Sequence, residues 1–202
     1  LPGAVAEISF LNHFLIKRNY ENVACRVTAV DQGGNRISSK LIPVTEPAVY
    51  SIPLTHLFEE EATVYLVEFF TADNLFIPFP AVMVNHHGDG FLNTVHAFNR
   101  IVNDVFEDDE INRTSLAEAS IDVAIGNDID TVAFFMSGQQ PCKGEISLEL
   151  AVNGQTTTAS LPIDLPRFQR SPLSLREIFP GKSADGGVLK IHQPSQFMFY
   201  GR

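Results

Sequence analysis

Tryptophan is absent from this chain, cysteine occurs twice and methionine three times in 202 residues. Two cysteines cannot build a disulfide scaffold, and a chain this long can bury a core without one. Charge is also sparse, at 19% of residues against 45% hydrophobic. Basic residues are the scarcer kind, 14 against 24 acidic, for a formal net charge of -10. Lys17, Arg18, Arg167, Arg170 and Arg176 are scattered and form no cationic stripe, so nucleic acid is not an expected partner. Long apolar runs are missing as well. A membrane span needs roughly 18 such residues, and the stretch 75–84 is broken by Pro78 and Pro80. No basic segment leads into an apolar run as in a signal peptide, which favours a soluble, cytoplasmic protein over an exported one.

Catalytic motifs are missing too. No Gly-x-Ser-x-Gly elbow occurs, no Walker loop, and no Gly-x-Gly-x-x-Gly opening a helix. Neither cysteine stands in a nucleophile context. Cys25 lies on the apolar face of an alternating stretch, and Cys142 follows Gln140-Pro141, which reads as a turn. A disulfide between two such sites is not expected.

What the chain has in quantity is strand pattern. Residues 23–30, 37–44, 63–70, 76–84, 91–98, 120–125, 131–136, 144–152, 155–163, 188–192 and 196–200 carry alternation or β-branched and aromatic runs. Asp31 to Asn35 forms a turn, and Asn153-Gly154 is a strong two-residue hairpin signal. Residues 85–90, Asn-His-His-Gly-Asp-Gly, read as a turn as well. Helical spacing is thin. Residues 98–106 are the best candidate, with one or two turns each at 54–61 and 173–179. Acids at 107–110 would oppose a helix dipole there, so they read as a solvated linker.

Sliding the chain on itself by about 121 residues aligns like with like. Asp31-Gln32-Gly33 falls on Val152-Asn153-Gly154. Cys25, Val27 and Ala29 fall on Ile146, Leu148 and Leu150. Leu54-x-x-Leu57-Phe58 falls on Leu175-x-x-Ile178-Phe179. The expected fold is therefore all-β, two tandem β-sandwich domains over residues 1–112 and 113–202. The second stops before its counterparts of 82–98, which leaves three readings open: a longer native chain, a disordered tail, or a second domain that lacks those strands and exposes a sheet edge. The short strands and Asn-Gly turns resemble immunoglobulin-like and jelly-roll sandwiches, without the Cys…Trp…Cys pattern of antibody domains.

Candidate chemistry is confined to a few clusters. His86, His87, Asp89 and His96 supply the imidazole and carboxylate ligands that suit a transition metal. Against that, adjacent strand residues point to opposite faces. The acids at 59–61, at 107–110 and at Asp128 and Asp130 lack the spacing of a calcium loop and read as solvated; Asp128 and Asp130 are the best of them for calcium. Sixteen phenylalanines suit a core better than a sugar platform, with Phe69, Phe70, Phe76, Phe79, Phe197 and Phe199 in runs that would line one. The expected function is a non-enzymatic binding or assembly module with no cofactor, its partner another protein or a second copy, engaged by surface complementarity or edge-strand pairing. A metal site at the histidine cluster and a small-molecule or carbohydrate-binding domain are the alternatives.

Overall fold

The computed structural model describes residues 4–60, 62–73, 75, 77, 80–97, 118–137, 141–192 and 197–201. Within them the chain is all-β, with two short helices. It divides into two compact units, Leu1–Arg100 and Ile101–Arg202. The expected boundary at 112/113 falls outside the described residues.

The first unit runs β1 (Val5–Leu11), α1 (His13–Arg18), β2 (Val23–Val30), β3 (Arg36–Val44), β4 (Val49–Pro53), β5 (Val64–Thr71), β6 (Val82–Gly88) and β7 (Phe91–Ala97). Its strands form two antiparallel sheets, β4-β1-β6-β7 and β3-β2-β5. Alternation in β2 turns Val23, Cys25, Val27 and Ala29 inward, where all are buried. Ile8 and Phe10 of β1 do the same from the other sheet, and residues of both sheets join one apolar cluster. Phe10 stacks on Tyr50 and meets Phe69 edge-on, an arrangement ring quadrupoles favour. Asn12 is fully buried but satisfied. Its side-chain oxygen accepts from the Leu15 amide and caps α1, while its Nδ2 donates to the carbonyls of Val44 and Glu46. In the β2–β3 loop, Asp31 accepts from the amides of Asn35 and Gly33. The bond from Asn35 leads in holding that carboxyl below the usual carboxylate range.

The second unit runs β8 (Glu118–Ile125), β9 (Val132–Ser137), β10 (Cys142–Val152), β11 (Gln155–Leu165), β12 (Arg170–Ser174), α2 (Leu175–Ile178), β13 (Ala184–His192) and β14 (Phe197–Gly201). Its sheets are β11-β10-β13-β8 and β12-β9-β14, again antiparallel. Ile146, Leu148 and Leu150 of β10 are buried with Phe135 of β9 and Leu175 of α2 in a second cluster. The β10–β11 hairpin closes through Asn153 at φ 50 and Gly154 at φ 76, the paired left-handed residues of a tight hairpin. β13 slips register between Asp185 and Gly187, a bulge with Gly186 at φ 75.

Several expectations change. Asn85, His86 and His87 belong to β6, and the turn shrinks to Asp89 and Gly90. Cys142 is no turn residue: it opens β10 and is buried, and no disulfide joins it to Cys25. Phe70 lies on the outer side of its sheet, 38% exposed beneath the Arg26 guanidinium, because only alternate residues of β5 face the core. Residues 54–60 make turns and bends without a helix, whereas α2 forms inside 173–179. Helix α1 and strands β1, β4 and β12 add to the elements expected. Phe76 and Phe79, the helix at 98–106 and the acids at 107–110 lie outside the described residues.

Candidate functional site

The strand register decides what the histidine cluster can do. Across β6 and β7, Met83 faces His96, Asn85 faces Thr94, His86 faces Asn93 and His87 faces Leu92. Directly opposed residues share a side of the sheet. Val84 faces Ile8, which is fully buried, so His86 shares the core side with Val84. His87 and His96 share the outer side, but four residues of rise separate the rungs they occupy, about 13 Å. Asp89 is exposed in the turn. The register does not bring His86, His87, Asp89 and His96 together. Among the described residues, no three His, Cys, Asp or Glu side chains are grouped to hold a metal ion.

The acidic candidates are also placed. Asp130 accepts from the Ser174 hydroxyl at 2.7 Å and from the Arg176 amide at 3.0 Å. Ser174 in turn accepts from the Glu177 amide, so Asp130 braces the start of α2. Asp128 is exposed in the preceding loop, and Glu59 and Glu60 are exposed in bends. Glu61 and the acids at 107–110 lie outside the described residues. Phe197 and Phe199 belong to β14.

Polar order on the outer side of the β4-β1-β6-β7 sheet centres on Asn85. Its Nδ2 donates to Glu7 and Ser9, and its Oδ1 accepts from the Thr94 hydroxyl at 2.9 Å. This ladder ties β1, β6 and β7 together at mid-sheet. On the neighbouring rungs of the same side stand His87 with Leu92 and Met83 with His96. Leu92 is 70% exposed and Met83 37%.

The edges of the sheets differ in how they are guarded. An unpaired edge invites pairing with another chain, and natural sheets blunt it with charge, proline or a bulge. Among the described residues the edges are β3, β4, β5, β7, β8, β11, β12 and β14. Arg36, Lys40 and Pro43 guard β3, Pro53 guards β4 and Glu68 lies in β5. Glu118 and Asp122 lie in β8, Pro162 and Asp164 in β11, and Arg170 and Pro172 in β12. Only β7 and β14 hold neither charge nor proline. Of these, β14 lies close to β8 of the adjoining sheet. β7 has no comparable neighbour beyond β6 among the described residues, and it pairs with β6 over seven unbroken rungs without a bulge. Sequence reasoning looked for an open edge in the second half of the chain. The signal for β7 was present in the run Phe-Leu-Asn-Thr-Val-His-Ala, which lacks every guard residue.

Among the described residues, no helix is long and apolar enough to cross a membrane. Compared with known proteins, the chain matches no family model, no curated protein and no solved structure.

Proposed function

We propose that the chain is a non-enzymatic assembly module, two related β-sandwich domains over residues 1–112 and 113–202 that associate with further copies through the free edge of β7. The observation that carries this reading is the unguarded β7 edge with Leu92 exposed beside it. Two copies each carry a charge of -10. An uncharged strand is where they meet with least repulsion, and the unpaired backbone groups supply the bonds.

Strand order supports the relation between the domains. In the first, the sheets β4-β1-β6 and β3-β2-β5 use six consecutive strands; β12-β9-β14 and β11-β10-β13 use six more in the same order. Each has one apolar cluster drawn from both sheets, as in a sandwich. The register shifts locally. Ala29 faces Ser38 and Tyr65, while Leu150 faces Thr157 and Leu189. Relative to an ungapped offset, the flanking strands are displaced by two residues one way and three the other. The shorter connection accounts for the displacement of β11: residues 31–35 join β2 to β3, whereas the tight turn at Asn153-Gly154 joins β10 to β11.

Sedimentation of the 22.3 kDa chain tests the proposal. The mass is expected to rise with concentration toward a dimer. Leu92→Lys places an edge guard at a position already open to solvent and is expected to return the mass to the monomer value. A parent chain that stays monomeric, or a variant that still dimerises, overturns the reading.

A further inference from the structure

The two domains differ in one strand that bears on binding. In the second, β8 pairs along the far side of β13, the strand that returns beside the β10–β11 hairpin. In the first, β5 holds the matching place beside β2 and β3, and its far side has no neighbour among the described residues. Burial follows this difference. Leu189 of β13 is fully buried, with Ile121 of β8 opposite it. Tyr65 of β5, the residue in the corresponding place opposite Ala29, is only half-buried, as are Val67 and Phe69 on the same core-facing side. The one charged residue of β5, Glu68, does not guard the far side. Its carboxylate is forked onto the Arg26 guanidinium of β2, at 2.8 and 2.9 Å, on the opposite side of the strand from the free edge.

We infer that the free edge of β5 accepts an extended strand from another polypeptide, running antiparallel with apolar residues at alternate positions. β8 shows the required chemistry. Val123 and Ile125, two residues apart, are buried, while Ala124 between them is half-buried and Asp122 before them is exposed. A strand of this pattern on β5 would lay its apolar side chains along Tyr65, Val67 and Phe69 and complete the backbone ladder, the mode known as strand addition. The inference rests on the correspondence of the two domains and is independent of pairing at β7.

The probe is a synthetic peptide with the β8 sequence, Glu-Ala-Ser-Ile-Asp-Val-Ala-Ile, flanked by lysines for solubility and added to the full chain. Amide hydrogen exchange reads where it binds. The expected result is at least a tenfold slowing across residues 64–71 at saturating peptide, with no such effect from a scrambled peptide of the same composition. Unchanged exchange in β5 overturns the inference, as does protection confined to β7 or β13, or equal protection by the scrambled peptide. Self-association at β7 is read separately by sedimentation, so either idea can fail without the other.

Discussion

A single thiol shows how strongly one residue can respond to its surroundings. Cys25 is fully buried on the inward face of β2. Burial, reinforced by the Glu68 carboxylate, pushes its pKa from 9.0 up to about 12. The nucleophilic thiolate is thus suppressed. In the folded chain Cys25 keeps its proton where the unfolded chain would release it. The associated stability is complete below pH 9 and is lost progressively as pH rises toward 12. The slope is at most about 1.4 kcal/mol per pH unit. Denaturant titrations across this window are expected to show the parent losing stability faster than Cys25→Ala; parallel curves would refute the assignment. Alternation in residues 23–30 was enough to put Cys25 inside. The same reasoning failed at Cys142, because Gln140-Pro141 suggested a turn and nothing local announced that β10 begins immediately after it.

At the scale of elements, the bulge in β13 is the sharpest constraint. A Cβ on Gly187 would stand 2.9 Å from Val152 Cγ2, 3.1 Å from the Ala151 carbonyl and 3.2 Å from Val123 Cγ2. The carbonyl is backbone and cannot move aside cheaply. Gly187→Ala is therefore expected to cost about 1–3 kcal/mol, read as a lower denaturant midpoint for the second unit; an unshifted midpoint would mean that the strand relaxes. Strands with clean period-two patterns, such as β2, β10 and β11, were legible from sequence within a few residues. Asn85, His86 and His87 were not. Asn, Gly and Asp favour turns locally, but pairing of β6 to both β1 and β7 overrides that preference. Prolines hid β4 and β12, since Pro53 and Pro172 are tolerated where a strand lies at an edge. The histidine cluster was legible only as residue types, because the face each ring takes depends on register.

For the whole molecule, the two apolar clusters are the units of stability. Leu148 is fully buried in the second cluster and Ile8 in the first. Leu148→Ala is expected to lower the exchange stability of β10 amides by about 2–5 kcal/mol while those of β2 keep theirs. An equal loss in both would show one cooperative body. The all-β character of the described residues was legible, because alternation and turn residues recur through both halves of the chain. Which edges stay open was not, since that depends on partners distant in sequence. The same long-range pairing sets a clock on synthesis. Ser9 of β1 is bonded by Asn85 of β6, 76 residues further along. At about 5–20 residues per second, a ribosome needs roughly 4–15 seconds to make that intervening chain. Through that interval β1 has emerged without the strand that pairs along Val5 to Ser9, and the newborn chain depends on whatever shields that edge until β6 arrives.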